Sequence, residues 1–580
     1  MPQTNPSNGG LPTVAYNNAA AFLHHRLALM IKDILSLRST RGLMDTWQAD
    51  MKAGFLVSLI ALPLCFGIAT ASGFPPIAGI ISAIVGGLLI SHINGVPLGI
   101  TGPAAGLITV LYSAVQTLGQ GDLWAGYRYT LAAVVISGGL QILLGLSRTS
   151  RIAALFPAAI AHGMLAAIGI SIIARQTHVV LGTRPEADTV WQALTQIPGS
   201  LFYFNPLIFL VGGLALVILF AWPLLNQRGL GRLPAPIAAV VTGILLGQAF
   251  HLDTAELYVK TDEDAGLLHH LVYTTAPQFL AGIPERWQDS LVFPDFGKLA
   301  TPGFWSAVAA LFLVGSLESL LVASAVDRLG KSASRTDLNR DIAAIGLGNV
   351  VSGLIGGLPM VVEIVRSSAN IGYGARSANA NFFHGLFLLL FVALLPQWLE
   401  CIPLATLAAL LIFAGYRLAS PGTFSRARQI GTEQIALFTL TLAAVLATNI
   451  LAGVAMGLIA KLILSRWLGG QGTTVRGLLS PSYQATQTLD GCFHFRIDGP
   501  AVFSNFLRLK GELRALPQGE HIIIDVAAAP LIDHTVMDFI ERFREAYTST
   551  GGQVDIVGLH SLAARSGHPL ATRTQKIQRQ

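Results

Sequence analysis

The 580-residue sequence predicts an α-helical polytopic membrane protein followed by a small α/β domain, and three observations carry that prediction. Charged residues are only 12% of the chain and hydrophobic residues 52%, a charge share about half that of a soluble domain. The charge is also uneven, since wide stretches between about residues 53 and 465 carry almost none. Apolar runs approaching the roughly 20 residues that cross a bilayer recur through that region. Finally, two short segments broken by Gly and Pro, Pro97–Gly106 and Gly356–Ser368, sit at matching places in two hydrophobic halves. Backbone that is not helical survives in lipid only where protein or a watery cavity surrounds it. A matched pair of broken segments therefore points to the midplane site of an inverted-repeat transporter. Helix N-termini carry partial positive charge and free N–H groups, so two of them turned inward favour an anion.

In chain order, residues 1 to about 20 are polar, and Ala21–Leu43 mixes apolar residues with Arg26, Lys32, Arg38 and Arg41. An amphipathic helix on the inner leaflet and an unstructured tail explain that segment equally well. No basic region followed by a short apolar core and a cleavage site opens the chain, so no removable signal is expected. Spans follow near 53–72, 76–94, 127–147, 153–175, 206–225, 235–250, 304–326, 341–356, 381–396, 402–416, 434–449 and 451–467. With the broken segments at about 97–116 and 357–373, the total is about 14, seven on each side of a divide between Phe250 and Phe304. An odd number per half inverts the second half relative to the first.

Orientation is a separate check. With the N-terminus cytoplasmic, even-numbered connections should be basic. They contain Arg148 and Arg151, Arg228 and Arg232, then Arg328, Lys331, Arg335 and Arg340, then Arg376, then Arg417, Arg426 and Arg428. The longest odd connection, about 251–303, holds Asp253, Glu256, Asp262, Glu263, Asp264, Asp289 and Asp295 instead. Both ends are expected in the cytoplasm and the spans in the cell (inner or plasma) membrane. The net charge of +6 reflects this bias rather than nucleic-acid binding.

After Gly469-Gly470-Gln471-Gly472 the pattern changes. Cys492–Ile497 alternates like a half-buried strand, His521–Val526 reads as a fully buried strand, and Val554–Gly558 as a third. Amphipathic helices are expected over Ala501–Leu516 and Thr535–Thr548, and such alternation implies an α/β domain. The expected division is 1–45 N-terminal segment, 46–468 transmembrane transporter domain, 469–485 linker, 486–565 α/β domain and 566–580 tail. Cys65, Cys401 and Cys492 are scattered, so neither a disulfide framework nor a metal site is expected. No nucleophile–base pair or phosphate loop is present, so no enzymatic activity and no cofactor are expected.

Specific runs resemble a known family. Ala61–Gly73, Gly102–Gly106, Gly315–Leu321, Gly348-Asn349, Gly356–Pro359 and Arg366–Asn370 are similar, in this order, to the SulP family of sulfate-permease-like anion transporters. The tail resembles that family's STAS domain, and the likeness covers about residues 45–565. It implies a core domain and a gate domain of 14 spans, a homodimer, and uptake or exchange of sulfate, bicarbonate, chloride or a dicarboxylate.

Candidate site residues follow. Glu318 lies mid-span, where an ionisable group is costly and marks function by default. The resemblance implies an acid here that faces the anion and binds Na⁺ or takes up a proton, and bonding to Ser316 or Ser319 is the structural alternative. Sodium-coupled relatives carry a hydroxyl one turn later, where this chain has Val322, so H⁺ is favoured over Na⁺. Glu363 is expected to pair with Arg366 at i+3, or else to supply the missing cation ligand. Arg366 matches the basic residue the family carries at this helix start and is expected to set the positive potential of the pocket. Gly99, Thr101, Gly102 and Ala104, with Val361 and Val362, are candidate substrate-binding groups, Thr101 being equally able to cap the helix. Cys65, Phe66 and Ile68 form the expected pocket wall. His162 and Gln176 read mainly as packed polar groups, with a proton relay open to His162. Thr535 matches the phosphorylatable hydroxyl of related α/β domains, although a packing role is the better expectation. The favoured reading is H⁺- or counter-anion-coupled transport of sulfate or bicarbonate. The alternatives are Na⁺-coupled bicarbonate or H⁺-coupled dicarboxylate uptake, then an anion channel or a nucleobase permease.

Overall fold

The computed structural model describes residues 43–147, 157–183, 189–225, 234–260, 271–281, 291–329, 336–470, 473–480, 482–487, 492–516, 519–549 and 551–575. All but the last residue of Ala21–Leu43, together with Arg148, Arg151, Arg228, Arg232, Lys331, Arg335 and the acids at 262–264 and 289, lie outside them.

The first half supplies α1 (Leu43–Ala71), α2 (Pro76–Ile90), α3 (Ala105–Gly119), α4 (Leu123–Leu146), α5 (Ala158–Val180), α6 (Val190–Phe202), α7 (Pro206–Leu225) and α8 (Ala235–Ala249). The second supplies α9 (Pro302–Leu329), α10 (Leu338–Leu354), α11 (Ile364–Gly372), α12 (Asn379–Leu394), α13 (Pro396–Glu400), α14 (Leu404–Leu418), α15 (Pro421–Ile430), α16 (Thr432–Ala447) and α17 (Ile450–Leu468). Each expected span coincides with one of these helices. The broken segments are strand and helix in series: β1 (Thr101–Pro103) leads into α3 and, after the hairpin of β2 (Glu256–Lys260) and β3 (Leu271–Thr275), β4 (Met360–Val362) leads into α11. The 15 residues of α3 rise about 22 Å, short of the roughly 30 Å hydrocarbon core, so the strand completes the crossing.

The halves are related by exchange. α1 packs on α12 as α9 packs on α4, α11 on α1 as α3 on α9, α7 on α14 as α16 on α5, and α7 on α8 as α16 on α17. α5 meets α14, its own counterpart. At the centre β1 and β4 pair antiparallel, with Thr101 opposite Val362, Gly102 opposite Val361 and Pro103 opposite Met360. An antiparallel pair has a local twofold between its strands, which suits an inverted repeat. Two bundles result, α1–α4 with α9–α12 and α5, α7, α8 with α14, α16, α17. These are the expected core and gate domains.

Several helices were not anticipated, the short α13 and α15 among them, and the longest of these is α6. α6 turns by 119° into α7 and exposes Trp191, Phe202 and Tyr203. Such aromatics suit a helix lying at the lipid–water boundary. Buried His178 fastens it to α5, its Nδ1 meeting Ser200 Oγ and its Nε2 meeting the Ala193 carbonyl, each at 2.8 Å.

The terminal domain contains α18 (Val475–Leu479), α19 (Leu507–Ala515) and α20 (His534–Thr548). Its sheet has the order β5 (Tyr483–Gln487), β6 (Phe493–Ile497), β7 (His521–Asp525), β9 (Gln553–Val557), parallel except for β5. β7 is not fully buried as expected. Ile522 and Ile524 are covered by Leu509, Val536 and Ile540, whereas His521, Ile523 and Asp525 face the less covered side. The domain also extends beyond its expected limits. β5 begins inside the expected linker, and β11 (Arg573–Gln575), in the expected tail, pairs with β8 (Leu531–Ile532) and β10 (Leu562–Ala564).

Candidate anion site

The site is built where the two broken segments meet. Neither strand can satisfy its backbone in lipid, so buried side chains from neighbouring helices do so. Asn381 of α12 clamps β1: its Oδ1 accepts from Thr101 N at 3.3 Å, and its Nδ2 donates to Thr101 Oγ1 at 2.9 Å. Asn349 of α10 clamps β4, accepting from Met360 N at 2.6 Å and donating to Gln141 of α4 at 2.7 Å. Ser367 Oγ accepts from Ile100 N, Asn370 Nδ2 donates to Leu98 O, and Tyr127 OH donates to Gly356 O. Gly356 turns the chain into β4 at φ 92°, a conformation open mainly to glycine.

Of the two roles expected for Thr101, capping is not what is seen: it is a strand residue held by Asn381, and Ala104 stands at the helix start. Gly102, Ala104, Val361 and Val362 are buried backbone neighbours of that pair. Cys65 and Phe66 belong to one apolar core and Ile68 to another, and none of the three lines the cavity that reaches Glu318. Asn381, Asn349, Gln141 and Asn370 were the positioning residues missed. Their signal was a carboxamide inside an apolar span, which is costly without a partner.

The first half-helix begins with Ala104 in extended conformation and no side-chain cap of its own. Two carboxylates from the second half supply the missing acceptors. Glu363 Oε1 accepts from Ala105 N at 3.1 Å, and Glu318 Oε1 accepts from Gly106 N at 3.2 Å. Glu318 is buried, and its Oε2 has no partner among the described residues. A Cβ at residue 106 would strike the Glu318 carboxylate, so glycine is needed for this approach. Bonding of Glu318 to Ser316 or Ser319 is not what is seen, since these reach Gln141 and Asp341.

The expected Glu363–Arg366 pair is not formed. Arg366 is 1% exposed, none of its guanidinium nitrogens has a hydrogen-bond partner among the described residues, and it packs against Gly102. The geometric reason is that Glu363 turns towards the first half-helix while Arg366 turns behind the strands. Cys65, Glu363 and His384 lie close enough to feel its charge.

A cavity of about 1070 Å³ starts at these acids, with Ala105, Glu318 and Glu363 in its wall, and continues to the terminal domain at Lys510, Thr535 and Arg542. Arg366 is not in that wall. His162 is, and it is exposed there, so it is not the packed histidine expected; Gln176 is buried as expected. Val322 also lines the cavity and offers no oxygen. The terminal domain is fastened to the gate bundle by buried Lys461 of α17, whose Nζ lies 3.4 Å from Asp533 Oδ2, and by Ser566 Oγ donating to Ile430 O.

The family model described as the sulfate permease family matches residues 47–463, and that of the STAS domain matches 483–566. The bicarbonate transporter BicA of Synechocystis sp. is 23% identical over 523 residues, 88% of each chain. The solved transmembrane domain of a cyanobacterial BicA covers 73% of this chain and 99% of its own at TM-score 0.58 and 22% identity. Murine Slc26a9, an anion transporter solved in the inward-facing state, covers 96% of this chain and 93% of its own at TM-score 0.63 and 14% identity. With most of its length matched, the chain belongs to the sulfate permease family, a family of anion transporters rather than enzymes, and ends in a STAS domain.

Proposed function

We propose that this protein is a secondary active transporter of a small oxyanion, sulfate or bicarbonate, working by alternating access of one central site. The observation that carries the reading is the meeting of the two broken segments beside a large cavity, with ionisable Glu318 and Glu363 in its wall and at the first helix start. The core bundle would move against the gate bundle, exposing the site to each side in turn. Arg366 supplies positive potential from behind the strands, while Glu318 takes the coupling ion. A proton is favoured over Na⁺, because Val322 stands where a hydroxyl ligand would be wanted and Glu318 Oε2 has no partner. Na⁺-coupled bicarbonate and H⁺-coupled dicarboxylate uptake are the competing outcomes. Residues 46–468 carry transport, and the STAS domain follows, from β5 at Tyr483 to β11 at Gln575. Both ends face the cytoplasm of a cell (inner or plasma) membrane, and two copies form a homodimer. Thr535, in the cavity wall, is at most a regulatory position.

The test is uptake of radiolabelled sulfate and bicarbonate into proteoliposomes, with and without a pH gradient. Uptake should follow the proton gradient in the wild type and lose that dependence in Glu318→Gln. Identical gradient dependence in both proteins would remove Glu318 as the coupling group.

A further inference from the structure

We propose that Glu363 is a tethered anion: its carboxylate occupies the amide that opens the first half-helix, and the transported anion must displace it. The inference rests on the transport reading above and adds a residue that competes with the substrate.

The geometry is specific. The exposed N–H groups at a helix start are the natural seat of an anion, and here the Ala105 amide is already taken by Glu363 Oε1 at 3.1 Å. The adjacent Gly106 amide is taken by Glu318. An entering oxyanion needs those amides and brings negative charge against the acceptors that hold them, in a site sheltered from water where like charges repel strongly, even with the coupling proton on Glu318. One carboxylate therefore has to leave. Glu318 is the poorer candidate, being buried in the middle of α9 with its carboxylate pressed on Gly106. Glu363 is the better one. It sits at the joint between β4 and α11, makes no capping bond to its own helix, is partly exposed, and borders the cavity by which an anion would arrive. An independent observation marks where it could go. Arg366, one turn on, is fully buried with all three nitrogens unpartnered, and i,i+3 spacing on a helix brings side chains together. Glu363 thus has two partners available, the Ala105 amide when the site is empty and Arg366 when an anion is seated. The pairing with Arg366 that spacing predicts belongs to the second state.

The test is equilibrium binding of radiolabelled sulfate and of radiolabelled bicarbonate to the purified full-length protein in lipid nanodiscs. Removing an occupant that holds the site closed most of the time raises apparent affinity by the inverse of the open fraction, so Glu363→Ala should bind about tenfold more tightly than wild type. Glu363→Gln should fall between them, because an amide oxygen can still accept from Ala105 N but carries no charge. A merely structural Glu363 would give weaker binding, and equal or weaker binding in both variants overturns the proposal. The wild type provides a check free of folding effects, an infrared difference spectrum on adding sulfate. A shifted carboxylate band is expected, and an unchanged carboxylate region overturns the tether. If no form binds either anion, wild type included, the transport reading itself fails instead.

Discussion

The starts of α3 and α11 occupy equivalent places in the repeat, face each other across β1 and β4, and are finished in opposite ways. The start of α3 has no polar side chain of its own, and two carboxylates from the other half close it. The start of α11 has no side-chain cap and carries the buried cation Arg366 in its first turn, where a positive charge opposes the helix dipole. The backbone architecture is thus symmetric and the charge is not. The fold builds two anion-attracting ends, and the side chains make one of them a filled seat and the other a source of positive potential. A symmetric charge pattern would bind an anion without distinguishing the empty from the loaded site. An asymmetric one gives the protein something to exchange.

The most severe way to break this contrast is Arg366→Met. Leaving two carboxylates without the buried cation should cost about 3 kcal/mol or more in anion binding, and uptake in proteoliposomes should fall roughly 100-fold. Uptake within a factor of a few of wild type would mean that the helix starts suffice alone. Next is Gly106→Ala, which drives a methyl group into the Glu318 carboxylate and should cost about 1–3 kcal/mol, read as a lower unfolding midpoint in detergent. Gly372→Ala at the far end of α11 meets open space and should leave the midpoint unchanged or slightly raised. Equal effects would show that the α3 start is no tighter than its surroundings.

The smallest effect sharpens the comparison with a helix start outside the membrane. Asp533 caps α20 through Val536 N and also meets Lys461, so there too a carboxylate closes the end. Next to it, burial pushes the His534 imidazole below its ordinary range, against the pull of the Leu570 carbonyl and the Asp533 and Glu433 carboxylates. With the folded value below the unfolded one near about 6.5, the unfolded chain binds more protons as pH falls. His534 therefore leaves stability intact above that value and takes it away as pH drops towards the folded value. The thermal midpoint should decline between about pH 7 and about pH 5, and His534→Asn should flatten the decline. An identical slope in the variant would exclude His534 as its source.

Much of the fold was legible because lipid imposes strong rules. Span length, the inverted count and the basic connections all follow from the cost of exposing backbone and charge to hydrocarbon, and each expected span has its helix. Glu318, Glu363 and Arg366 stood out for the same reason: ionisable groups in apolar sequence are rare. Their partners did not. Helical spacing pairs Glu363 with Arg366, yet the structure gives Glu363 to Ala105, 258 residues away in the chain. Cys65 and Phe66 pack in an apolar core and do not line the cavity at Glu318, and sequence offers no way to tell one face of a span from another when both are apolar. His162 shows the converse, a polar residue that only the cavity reveals as exposed. α6 escaped notice because an interfacial helix is too short and mixed to resemble a span.

By itself, then, the sequence determined the membrane class, the two halves, the two interruptions and the ionisable groups near them, since these depend on composition and period along one chain. Which carboxylate meets which amide, and that Arg366 stays unpartnered behind the strands, was decided only when the inverted halves packed. Contacts between residues hundreds of positions apart depend on register and helix rotation, and no local pattern encodes either.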